Sequence, residues 1–137
     1  MLDFVVKNWM LFLALVFILS MLVWPPLMRR IYGIKLAQAG ETVNLVNRSN
    51  AVVVDVREPR EFEQGRVPNA INIPLGSLET RLRELEKYKD RPIVLTCQSG
   101  NRSMRAAVNL RKKGFGDVYS LVGGQTAWER DNLPVEK

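Results

Sequence analysis

The sequence predicts an α/β domain, a parallel sheet with helices on both faces, preceded by one transmembrane helix. Three observations carry this expectation. The β-branched runs "AVVVDV" (51–56) and "IVLT" (93–96) are too short for good helices and typical of strands buried on both faces. Short apolar runs of this kind alternate with helical patterns, as in a parallel sheet. From residue 8 to residue 28 there is no charged side chain.

That uncharged stretch comes first in the chain. A hydrocarbon core roughly 30 Å thick needs about 20 apolar helical residues, and residues 8–28 supply them, with Trp9 and Trp24 near the two ends where indole rings favour the interface. Pro25 and Pro26 are expected to stop this helix. A cleaved leader would have a shorter apolar region and a small-residue site close behind it, whereas Ala37-Gln38-Ala39 lies well past the double arginine. A buried core helix is disfavoured because the remaining chain already carries a complete amphipathic pattern. The expected organisation is an N-terminal flank (1–7), a membrane span (8–28), a basic connector (29–36) and a soluble domain (34–137). Lys7 precedes the span, and Arg29, Arg30 and Lys35 follow it. By the positive-inside bias the domain is expected to face the cytoplasm.

Downstream, 37–50 reads as a modest helix ending near Asn47, and 51–56 as a strand. A polar turn follows, with one helical turn around Arg60–Gln64, then a short strand at 71–73 stopped by Pro74. Ser77 is expected to cap a helix whose apolar face carries Leu78, Leu82 and Leu85, with Lys87 and Lys89 in its last turn. The strand 93–96 leads through the loop "CQSGN" to a helix beginning at Asn101 or Ser103 and stopped at Gly114. A strand at 117–121, a "VGG" turn and a short final helix complete the chain. Trp128, in that last helix, is read as a packing residue.

Composition excludes several chemistries. The chain has one cysteine and no histidine, so an internal disulfide, a Cys-x-x-Cys redox pair, His-containing zinc sites and Ser-His or Cys-His dyads are all ruled out. No metal or cofactor is expected. The net charge of +6 is partly the flanks of the span, and later basic residues are interleaved with acids, so nucleic acid is not an expected partner.

The single thiol nevertheless sits where chemistry is possible. In open α/β sheets ligands bind beyond the carboxyl ends of the strands, and both Cys97 and the Asp55-Val56-Arg57 turn fall at such ends. A thiol is nucleophilic as thiolate, with a free pKa of about 8.5. Without an imidazole, the thiolate can still be favoured by cations, here Arg102 with Arg105 one turn on, and by the free amides of a helix start. Gly100 lets the backbone fold so that amides point inward as an anion nest. The alternative is a small buried hydrophobe at a strand end.

Three segments in order, "DVREPREFEQGRVPNAINIPL", "CQSGNRS" and "LVGGQTAW", resemble a single-domain rhodanese, the sulfurtransferase module, over about residues 34–135. The resemblance implies a five-stranded parallel sheet and a cysteine that carries a persulfide. Cys97 would be the nucleophile. Gln98, Ser99, Gly100, Asn101, Arg102 and Ser103 would form the cradle, and Asp55 and Arg57 would lie beside it. Arg66 departs from the family's frequent "Gly-His-x-Pro", at a position that is not catalytic. The span lies outside the resemblance, although an anchored one-domain rhodanese looks like a known group of bacterial inner-membrane proteins. The implied partners are a small sulfane-sulfur donor, a thiol acceptor, the lipid bilayer through residues 8–28, and a membrane protein. Two other functions compete. A cysteine phosphatase or arsenate reductase uses Cys-x5-Arg, whereas four residues separate Cys97 from Arg102, and it would want a carboxylic acid for the leaving group. A docking or sulfur-relay module would leave Cys97 with little turnover.

Overall fold

A computed structural model describes residues 1–137. Two N-terminal helices, α1 (Leu2–Lys7) and α2 (Trp9–Tyr32), precede β1 (Lys35–Ala37), α3 (Ala39–Ser49), β2 (Val52–Asp55), α4 (Pro59–Gln64) and β3 (Ile71–Asn72). A single 3-10 turn at Leu75–Ser77 leads to α5 (Arg83–Glu86), β4 (Ile93–Thr96), α6 (Asn101–Lys112), β5 (Val118–Leu121) and α7 (Gly124–Arg130). The five strands form one parallel sheet in the order β1-β5-β4-β2-β3.

Alternation along the central strands builds two cores. Val52 and Val54 face the larger one with Leu78, Leu85, Leu95, Leu110 and Phe115. Val53 and Val94 face the other, with Ala39, Leu121 and Trp128. Trp128 is buried and donates its indole N–H to the Pro134 carbonyl at 2.8 Å, so it packs the C-terminal tail. Because β2, β4 and β5 are neighbours, their carboxyl ends form one rim, which holds Asp55, Cys97 and Val122.

Four expectations need correction. Pro25 and Pro26 do not stop the first long helix; they lie inside α2. Two amide donors are lost there, yet the helix goes on to a left-handed Gly33, whose N–H bonds the Arg29 and Arg30 carbonyls. Its end is also held from outside, by the Arg111 guanidinium on the Tyr32 carbonyl at 2.6 Å. Part of the expected connector is β1, which pairs with β5 and completes the sheet. Two of its three residues are exposed, so it lacks the apolar run that marks the inner strands. The helix α3 runs past Asn47 to Ser49 and ends on Asn50 at φ 59°. Ser77 caps nothing with its hydroxyl; it ends the 3-10 turn, and the stretch after it is hydrogen-bonded turns with only a four-residue α5. Leucines spaced three or four apart satisfy 3-10 and α geometry alike, and Leu78 and Leu85 are fully buried regardless.

Candidate active site

The cysteine loop is set by a strand, a glycine and two helix starts. The strand β4, central in the sheet, ends at Thr96 and delivers Cys97 to the rim. Gly100 then takes φ +110°, a left-handed value that glycine tolerates, and α6 begins at Asn101. This turn brings the Gly100 N–H to the Cys97 sulfur at 3.0 Å. The Ser103 hydroxyl lies 3.6 Å from the same sulfur, donates to the Gly100 carbonyl at 2.9 Å and shares a hydrogen bond with Ser120 at 2.8 Å.

The outer side of the loop is gripped by α7. The Gln125 N–H donates to the Cys97 carbonyl at 2.7 Å, and the Thr126 N–H to the Gln98 carbonyl at 3.1 Å. Those carbonyls point away from the thiol, and the Gly100 N–H is the loop amide within hydrogen-bond distance of it. The close approach requires Gly124, where a Cβ would fall on the Cys97 carbonyl and within 2.9 Å of its carbon. Gly123, at φ +74°, has no room either, since its Cβ would stand 2.7 Å from that of Ala127.

Asp55 and Arg57 act one step back from the sulfur. Asp55 is fully buried and Arg57 is 3% exposed. The guanidinium is clamped by the carboxylate, with Nε at 3.0 Å and Nη2 at 2.8 Å, and also donates to the Gly65 carbonyl at 2.8 Å. Its remaining Nη1 reaches the Gln98 side-chain carbonyl at 3.2 Å, and the Gln98 amide in turn donates to the Thr126 hydroxyl at 3.1 Å. Gln98 is therefore a strut that ties the loop to β2 and α7. Ser99 and Asn101 are exposed at the rim.

Arg102 is the cation of the loop, and its geometry shows a residue that sequence reasoning missed. Nη1 and Nη2 donate to the two carboxylate oxygens of Glu61 at 2.7 and 3.1 Å. Glu61 is the third helical residue of α4, and the same carboxylate accepts the Glu58 N–H in a capping box. Arg102 holds the Glu61 carboxyl down at about 2, helped by the Glu58 amide, while Glu61 pushes the Arg102 guanidinium up. Glu58 and Glu61 have capping-box spacing, which was a usable signal for α4, but the Arg102 contact spans 41 residues of sequence. Arg105, the second expected cation, is exposed on α6.

This pair has a pH signature. The folded-state carboxyl of Glu61 is depressed from 4.5 to about 2, so its contribution is complete above the unfolded value and disappears as pH falls through the folded one. Wild type is expected to exceed Glu61→Gln in urea midpoint by a constant margin above about pH 5. The margin should shrink steadily toward pH 2. A margin independent of pH across that window would refute the assignment.

Comparison with known proteins agrees with this geometry. The family model described as "Rhodanese-like domain" matches residues 38–131. A protein named sulfurtransferase from Allochromatium vinosum is 38% identical over 91 residues, which cover 66% of this chain and 83% of that one. The thiosulfate sulfurtransferase GlpE of Pseudomonas syringae is 38% identical over 96 residues, covering 70% and 88%. The crystal structure of a rhodanese-related protein from Thermoplasma volcanium superposes with a TM-score of 0.68 at 30% identity, covering 74% of this chain and 97% of that one. The match includes β2, the Cys97 loop and the Gly123-Gly124 turn beneath it, and the chain belongs to the rhodanese-like family of sulfurtransferases.

Proposed function

We propose that the protein transfers sulfane sulfur from a small donor, thiosulfate or a low-molecular-weight persulfide, to a thiophilic acceptor through a persulfide on Cys97. The observation that carries this reading is the Gly100 N–H at 3.0 Å from the thiol, in a loop held in that shape from behind by α7. In the first step the Cys97 thiolate attacks the outer sulfur of the donor. The sulfur–sulfur bond of the donor breaks and sulfite, or a thiolate, leaves with the electron pair. The loop amides hold the negative charge of the persulfide, and Arg102 stands beside them. In the second step an acceptor thiolate or cyanide takes the outer sulfur and Cys97 returns as thiolate. The chain has no second cysteine, so the acceptor comes from another molecule. A phosphatase is disfavoured because the only cation in the loop is already paired with Glu61.

The same reading places the domain at the cytoplasmic face of a bacterial inner membrane, anchored through residues 8–28. Its support is α2, with a mean hydropathy of 2.3 and no residue of the apolar window buried, and the excess of Arg29, Arg30 and Lys35 over Lys7. Incubating the full chain with thiosulfate and cyanide should produce thiocyanate. Mass spectrometry of the thiosulfate-treated protein should show one added sulfur atom on Cys97. Neither product nor mass gain, with thiosulfate and glutathione persulfide both tried, would overturn the enzyme reading. A reporter fused after Lys137 should be active in the cytoplasm; activity confined to the periplasm would reverse the orientation.

A further inference from the structure

The charges around the cysteine loop are matched one for one. Arg57 is clamped by Asp55, and both are buried. Arg102 commits Nη1 and Nη2 to the two carboxylate oxygens of Glu61, at 2.7 and 3.1 Å. This is a bidentate fork, the strong form of a guanidinium–carboxylate contact. Arg105, one turn further along α6, lines the cleft against α2 instead. These two cations and two carboxylates therefore carry no net charge before the Cys97 thiolate is counted. Asp55 and Arg57 are too buried to meet a donor, whereas the Arg102 and Glu61 side chains are 35% and 33% exposed. Glu61, and to a smaller degree the Cys97 thiolate, push the Arg102 guanidinium up, so the pair lies within electrostatic range of the sulfur.

That neutrality matters because sulfane donors differ in charge. Attack of a thiolate on thiosulfate brings three negative charges together and releases sulfite as a dianion. Attack on a thiosulfonate brings two together and releases a sulfinate monoanion. An unpaired Arg102 would favour the dianionic donor by one further unit of Coulomb attraction. Glu61 opposes this with a full negative charge on the same guanidinium. Arg102 holds its carboxyl at about 2, so it stays ionised at any working pH. The Glu58 N–H fixes the same carboxylate from its own helix at 3.1 Å. An incoming anion must therefore compete for Arg102 with a carboxylate that is already anchored.

We propose that Glu61 determines donor specificity in the sulfur-loading step: by neutralising Arg102 it turns the site away from thiosulfate and toward donors with less charge on the leaving group, thiosulfonates and organic persulfides. The proposal rests on the sulfurtransferase reading above and names the donor class within it. In the loading step the Cys97 thiolate bonds to the outer sulfur of the donor. The donor sulfur–sulfur bond breaks, and its electron pair leaves on a sulfinate or a thiolate. No oxidant or reductant is consumed. Glu61 acts through Arg102 and not on the sulfur.

The test measures second-order loading of Cys97 in the full chain in phosphatidylcholine nanodiscs, by mass gain after quenching. The donors are thiosulfate and methanethiosulfonate, in which a methyl group replaces one anionic oxygen. The readout is the ratio of the two rates, thiosulfate over methanethiosulfonate, which does not depend on the fraction of protein folded. In Glu61→Gln the ratio should rise at least about fivefold, the scale of one unit charge at contact distance in water. Glu61→Asp keeps the charge and should hold the wild-type ratio even if both rates fall. Glu61→Gln/Arg102→Gln removes both charges and should return to it. A ratio unchanged or lower in Glu61→Gln would overturn the proposal and leave Glu61 as a prop for Arg102. A rise of the same size in Glu61→Asp, or in the double variant, would overturn it by removing charge on Arg102 as the cause. Failure of both donors to load wild type overturns the sulfurtransferase reading and the proposal together, whereas loading by both with an unmoved ratio overturns the proposal alone.

Discussion

Cys97→Ser is expected to abolish sulfur loading and thiocyanate production while the domain stays folded. The fall should be at least about 10³-fold, the scale on which covalent catalysts lose activity with their nucleophile. A hydroxyl has no thiolate chemistry and forms no persulfide, so no weaker version of the same route remains. The fold has little reason to fail. The serine oxygen inherits the Gly100 N–H and stands near the Ser103 hydroxyl, so the introduced polar atom has partners where it is buried. A cost of about 1 kcal/mol is typical of a substitution whose polar group is satisfied. The contrast discriminates between functions, because Cys97 is also a member of the larger apolar core. If it were only a packing residue in a docking module, Cys97→Ser would shift the urea midpoint and leave any measured turnover where it was. Thiosulfate-dependent thiocyanate formation, measured beside chemical unfolding, decides the matter; turnover retained in the serine variant sinks the persulfide route.

What could be read from the sequence follows from how local each signal was. The strands β2 and β4 are buried along their whole length, so up to their last residues, Asp55 and Thr96, they were written as apolar runs. The cysteine loop was legible because its chemistry is contiguous: thiol, glycine, arginine and serine all lie between Cys97 and Ser103. The edge strand β1 was not legible, since it is three residues long and mostly exposed. The prolines misled because local propensity disfavours a helix there, whereas packing of the last turn against α6 sustains it. Glu61 was missed for a different reason. Its local pattern announced a cap, and only the fold brings the same carboxylate to Arg102. The placement of Asp55 and Arg57 beside the loop was anticipated, but the link through Gln98 was not, because no spacing rule connects side chains 41 residues apart.

Asp55→Ala should be the most destabilising single change in the site. It removes the carboxylate from a guanidinium that is 3% exposed and leaves that charge with the Gly65 carbonyl and Gln98. Breaking a buried pair in this way costs about 3–5 kcal/mol, a large part of the roughly 5–15 kcal/mol that holds a domain together. A fall in Tm of roughly 10–30 °C follows. Sulfur transfer should drop as well, because the Arg57 Nη1 bond to Gln98 is one of the struts behind the cysteine loop. Stability and positioning can be separated with Asp55→Val/Arg57→Met. Replacing both ions with apolar side chains removes the stranded charge, and such replacements are often neutral for stability. The double variant should therefore recover most of the lost Tm, yet remain slow in persulfide formation, since nothing on β2 then holds Gln98. Recovery of both would mean that the pair serves only the fold. Recovery of neither would mean that the Arg57 bond to the Gly65 carbonyl, rather than the pairing with Asp55, is what keeps β2 and α4 in place.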